Sequence, residues 1–150
     1  MKNKQSGVAM VEFALVLPFL LILLFLTFEV GRALYQYNVL TKSVRDAVRY
    51  LSVQSQNTKI AEAKNIVVYG NLTGGDTPLV YGLSVDQIPD PKWKQEGASP
   101  VINTVTIKIG KGEGDLSEPY TFTPIFGNFF GLEFPPITFP PISATMRVQL

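Results

Sequence analysis

The chain contains no cysteine and no histidine. Structural disulfides and Cys/His zinc sites are thereby excluded, as are the Ser-His-Asp and Cys-His nucleophilic arrangements. An excess of one charge is missing too: 13 basic residues stand against 12 acidic ones, a net charge of +1. With neither a basic face nor interleaved aromatics, the chain is expected to have no nucleic-acid partner. No pair of acid and base groups stands out. The composition therefore argues against an enzyme and calls for neither a metal nor a cofactor.

What the chain does have is unevenly placed. Its 150 residues suffice for one modest core. The apolar fraction is 46%, yet residues 13–28 (FALVLPFLLILLFLTF) carry no charge at all. From Val8 to Phe28 only Glu12 and Thr27 interrupt the apolar run. Twenty-one helical residues rise about 32 Å, close to the hydrocarbon thickness of a bilayer. Lys2 and Lys4, without an acidic neighbour, place the N-terminus in the cytoplasm and the chain beyond about residue 29 outside. A conventional secretory signal would offer small residues just past the apolar stretch. The exit instead reads TFEVGRALYQ, with Glu29 and Arg32 where cleavage would fall. The expectation is a single-pass protein in contact with membrane lipid.

Glu12 stands out within this run. A carboxylate inside a spanning segment costs about 2–3 kcal/mol even on insertion-based scales. One reading puts it at the headgroup level, solvated near the basic end. The other gives it a partner. A cut between Gly7 and Val8 would create a charged α-amine on Val8 at the helix start, and Glu12 of one copy could neutralise the amine of the next. The positive end of the helix dipole would favour the same carboxylate.

Gly7, the Glu12-Phe13 pair, Ala14, Leu15, Pro18, Glu29, Gly31, Arg32, Tyr35 and the Ala47–Tyr50 stretch together resemble the TadE-like minor pilins, or pseudopilins. These belong to the tight-adherence (Flp, type IVb) branch of the type IV pilus machinery. The resemblance implies a leader removed by a prepilin peptidase after Gly7, with Phe13 part of what that peptidase reads. It makes Glu12 the charge that registers neighbouring subunits, and Pro18, Glu29, Gly31 and Arg32 a family motif in the helix. The implied partners are the peptidase, the major pilin, a second pseudopilin and the inner-membrane assembly platform. The implied role is pilus assembly supporting adhesion and biofilm formation. The implied location is the inner membrane, with the C-terminal domain periplasmic or extracellular. The rival reading is a permanently anchored adaptor whose outer domain binds an envelope protein without polymerising.

The helical rhythm outlasts the apolar run. Val30, Leu34, Tyr37, Thr41, Val44, Val48 and Leu51 recur at steps of three and four, one stripe on a helix. One helix over about 8–54 is predicted, with a bend at Pro18 where the missing N–H breaks the ladder. Arg32, Lys42, Arg45 and Arg49 read as a solvated face, with Lys42 and Asp46 at pairing distance. A second helix is predicted over 58–69, with Ile60, Ala63 and Val67 inward and Gly70 as its stop.

Beyond Gly70 come strands and turns. A turn is expected at Gly74-Gly75-Asp76 and a short strand within 79–88. A loop bracketed by Pro89, Pro91 and Pro100 would hold Trp93. Val101, Val105, Ile107 and Ile109 alternate with polar neighbours, as do Ile142, Ala144, Met146, Val148 and Leu150, and both runs read as half-buried strands. A weaker strand falls at 120–123. The glycine-rich, acidic 110–118 segment lacks the spacing of a calcium or phosphate loop and reads as a hairpin connection. The FPPI repeat at 134–142 reads as a stiff lead-in to the final strand, or with Phe126, Phe129 and Phe130 as an apolar docking surface. The fold class is α+β, pilin-like: a long N-terminal helix, membrane-spanning in its first half, packed on a small antiparallel sheet. The divisions are a leader (1–7), a span (8–28), an extracytoplasmic helical region (29–70) and a β-rich domain (71–150).

Overall fold

The computed structural model describes residues 5–110, 120–129 and 131–149. The two helical patterns before residue 53 join in one helix, α1, which runs from Gln5 to Ser52. Its 48 residues span about 72 Å. The helix is unbroken at Pro18.

The two halves of α1 have different surroundings. In the first, Val8, Met10, Val11, Phe13, Leu15, Phe19 and Leu23 are exposed around the whole circumference, and no residue of the most apolar stretch is buried by the fold. In the second, Leu40, Val44, Ala47, Val48 and Leu51 are fully buried. They pack with Ala63, Val67 and Val68 of helix α2 (Ile60–Tyr69) and with the inner face of a sheet. Complete burial of each Leu or Val contributes about 1.5–3 kcal/mol relative to exposure.

The predicted stripe holds in its upper part and fails in its lower part. Tyr37 and Thr41 are half-buried, but Val30 and Leu34 lie in the open, the latter 59% exposed. The inward positions there are Glu29 and Ala33. A rhythm drawn on large apolar residues cannot register a buried carboxylate or an alanine beneath a close-packed loop.

Helix α2 starts at Lys59, whose left-handed backbone (φ 58°) turns the chain, and stops at Gly70 (φ 74°). The Gly70 N–H donates to Ile66 O at 3.0 Å, and a Cβ there would lie 3.2 Å from the Leu79 side chain. Glycine is thus required on two counts. Ala63 and Val67 point inward as predicted, with Ile60 half-buried.

The strand expected in 79–88 is absent. That stretch folds into a turn and a 3₁₀ segment, Val85–Gln87, where the Ser84 N–H donates to Gln87 Oε1. The Ser-x-x-Gln spacing closes a local ring and outcompetes extended backbone.

The main sheet is antiparallel, in the order β1 (Lys92–Glu96), β2 (Ile102–Ile109), β7 (Ile142–Arg147). Trp93 belongs to β1, opposite Val105, and not to a loop as the flanking prolines suggested. Pro91 sits just ahead of this edge strand, where a missing N–H is tolerated, and Lys92 and Lys94 charge the edge against further pairing. Val105, Ile107, Ile109 and Ile142 point to the helices, as the alternation predicted, whereas Val101 is exposed. The N–H of Gln149 donates to Ser52 O, tying the end of the last strand to the end of α1.

Two small ladders complete the domain: β3 (Thr121–Phe122) with β6 (Ile137–Thr138), and β4 (Asn128–Phe129) with β5 (Leu132–Glu133). The second FPPI unit joins the core through Phe139 and Ile142, so that half of the repeat is internal packing. Residues 111–119 of the glycine-rich connection, the Phe130 part of the docking expectation and Leu150 of the final alternation lie outside the described residues, as do 1–4 of the leader.

Candidate functional site: an exposed N-terminal segment and a helix–loop clamp

Gly7 and Val8 lie within the first turns of α1, and Glu12 and Phe13 follow on its exposed surface. The Gly7–Val8 bond is therefore helical, and any peptidase acting on it needs this end to unwind. Helix ends fray readily because their first N–H groups have no partner in the helix. Nothing lies within 4 Å of a Cβ built on Gly7 or Gly31. Among the described residues, no tertiary contact explains either glycine.

A second grouping appears at the middle of α1, where the exposed half meets the packed half. Glu29 is 6% exposed, and both its carboxylate oxygens are used. Oε2 accepts from Arg32 Nη2 at 2.8 Å and from Arg32 Nε at 3.2 Å, one turn further along. Oε1 accepts from the backbone N–H groups of Ile125 (2.8 Å) and Phe126 (3.0 Å). Arg32 Nη2 also donates to Thr123 O at 2.8 Å, and its guanidinium lies 4.2 Å from the centre of the Phe122 ring. The Phe126 ring then sits 4.6 Å from Phe25 and 6.4 Å, edge-on, from Phe28. The acidic residue, the basic residue and two phenylalanines of α1 together clamp the 123–126 loop.

Burial alone would raise the Glu29 pKa. The N–H of Phe126, the Arg32 side chain, the N–H of Ile125 and the Arg32 charge outweigh burial and hold the carboxyl below its ordinary value. Arg32 is thus not part of a solvated face. Nor does the expected Lys42–Asp46 pair form: the three ion pairs among the described residues are Arg32–Glu29, Lys59–Glu62 and Lys64–Asp90.

Arg32 also borders an open cleft of about 360 Å³, shared with Gln36, Tyr81, Gln87 and Tyr120. The Tyr120 hydroxyl donates to Tyr81 O and is pushed up in pKa by burial, with Arg32 opposing. Among the described residues no cluster of groups could hold a metal ion.

Two of the predicted motif residues, Glu29 and Arg32, are brought together, and Gly31 between them faces outward. Gly7, Val8, Glu12, Phe13 and Pro18 lie along the exposed half. The clamp's other side, Phe122, Thr123 and Ile125, carries no signal in the sequence, and Phe126, for which the sequence offers a docking surface as one of two alternatives, packs on α1 instead. The loop lies over ninety positions away and carries no pattern that points to the helix.

Comparison with known proteins gives a match over the same helix: residues 7–49 fit the family model of TadE-like proteins. No curated protein and no solved structure matches the chain. From Gly7 to Arg49, a segment that holds both the Glu12-Phe13 pair and the Glu29–Arg32 pair, the chain is similar to TadE-like proteins.

Proposed function

We propose that the chain is a minor pilin of a tight-adherence pilus: a structural subunit, cut by a prepilin peptidase between Gly7 and Val8 and needed for pilus assembly. One observation carries this reading beyond the family match. The first half of α1 shows an apolar circumference interrupted only by Glu12 and Thr27, with Val8 at 69%, Leu15 at 69% and Phe19 at 74% exposure. A water-exposed apolar surface of that extent is not stable in a soluble monomer. Lipid covers it before assembly, in a single span over 8–28 with the N-terminus cytoplasmic. The helices of neighbouring subunits, the major pilin and a second pseudopilin among them, cover it afterwards. In that setting Glu12 is expensive unless paired, and the freed amine of a neighbouring Val8 is the cation that becomes available on processing. Adhesion and biofilm formation follow from a working pilus.

Two experiments test the proposal. Pili sheared from cells and purified should contain this chain, whereas a permanently anchored adaptor would stay with the membrane fraction. Glu12→Ala should leave processing largely intact but reduce the number of pili, and normal pilus numbers would remove the pairing role.

A further inference from the structure

The clamp places a loop of the outer domain beside a stretch of helix that the proposed span assigns to lipid. Phe25 is three residues, about 4.5 Å along the axis, inside Phe28. The Phe126 ring packs on both. If the boundary shifts outward to relieve Glu12, Phe25 lies deeper still. Next to Phe126, Ile125 is 67% exposed.

Irregular backbone is tolerated at membrane depth only where its polar groups are satisfied by protein. The loop meets part of this demand. Pro124 has no N–H to satisfy, and the N–H groups of Ile125 and Phe126 both donate to Glu29 Oε1. Thr123 O accepts from Arg32, and Gly127 O accepts from the Phe134 N–H. The two charged groups that supply these bonds neutralise each other at 2.8 Å. What the loop turns outward is an isoleucine.

We infer that the Pro124–Gly127 loop is a second membrane contact, which sets Ile125 into the outer leaflet at the acyl–headgroup boundary while the Glu29–Arg32 pair takes up the N–H groups of Ile125 and Phe126 and the carbonyl of Thr123. The ligand is bilayer lipid itself. The loop thereby fixes the height and tilt of the outer domain on the membrane before the subunit is extracted. This inference rests on the proposed span over 8–28.

The absence of cysteine makes the test direct, because one introduced thiol labels at one place. Full-length Ile125→Cys, Leu20→Cys and Val53→Cys would each carry an NBD fluorophore in phosphatidylethanolamine–phosphatidylglycerol vesicles containing nitroxide lipids. All three native side chains are at least half exposed, so the substitutions leave the core intact. Leu20 reports the span, and Val53, at the far end of α1, reports water. The position-125 probe should emit to the blue of the position-53 probe and be quenched by shallow nitroxides roughly threefold more strongly, as expected for a side chain buried at the interface. A position-125 probe that matches position 53 overturns the inference while a quenched position 20 leaves the span standing. Shielding of position 125 without lipid quenching also overturns it, because protein would then be the cover. An unquenched position 20 defeats the span, and the loop contact with it.

Discussion

Glu29 accepts four hydrogen bonds on two oxygens, two from its own helix and two from a loop more than ninety residues later. Glu29→Ala strands two backbone N–H groups and a half-buried guanidinium at once, and should cost roughly 2–4 kcal/mol. Glu29→Gln keeps the acceptor for the loop and should lose less. Thermal unfolding in detergent reports both, and a Glu29→Ala protein within 0.5 kcal/mol of the parent, roughly the scatter of surface substitutions, would mean the clamp contributes little.

The same carboxyl predicts an acid dependence. Its pKa is lower folded than unfolded, so its contribution is complete above the ordinary value of 4.5 and fades as pH falls from there through the lowered value. The stability gap between the parent and Glu29→Ala should therefore be constant near neutrality and close on acidification. A gap that widens in acid would contradict this direction. Gly31 gives the opposite kind of test. It lies exposed in a helix with open space around its Cβ position, so Gly31→Ala should stabilise the isolated chain by about 0.5–1 kcal/mol. Any assembly defect in that variant would then come from contacts between subunits.

At the scale of elements, α1 is two helices in one, and the same apolar rhythm is read by different surroundings along it. Leu40 is fully buried and Leu34 is 59% exposed, although both sit on runs of similar composition. Leu40→Ala should cost about 2–5 kcal/mol, whereas Leu34→Ala should fall within about 0.5 kcal/mol. Chemical unfolding of the two variants separates them, and equal losses would contradict this division of the helix. Periodicity made α1, α2, β2 and β7 legible, because each has a repeating apolar side that a single core can bury. It could not show which side faces inward just beyond residue 28, because the inward residues there are a glutamate and an alanine. Trp93 reads as a loop residue in the sequence for a related reason. The prolines around it are strong local signals, while its strand exists only by pairing with β2. The strand wrongly expected in 79–88 failed in the other direction, where a local Ser84–Gln87 ring outweighed β propensity. Of the candidate site, the family resemblance marked the helix side, Glu29 and Arg32, whereas the residue pattern alone put Arg32 on a solvated face. The loop side depends on tertiary contact alone.

For the whole molecule, α1 is the shared axis: its outer half is the spine of an α+β domain and its inner half is an apolar rod with no cover of its own. In the proposed function the rod passes from lipid to neighbouring subunits, and a new positive charge at Val8 beside the Glu12 of another copy would supply the signal that separates the two states. The domain above is braced to the rod by the clamp, so extraction would move both together. The whole reading stands or falls on whether Val8 becomes the N-terminus. The intact mass of the chain, isolated from cells with an active pilus system and a prepilin peptidase, tests it most directly. The predicted result is a protein lacking residues 1–7 and beginning at Val8. A chain that retains its N-terminus in those cells would contradict the minor-pilin reading.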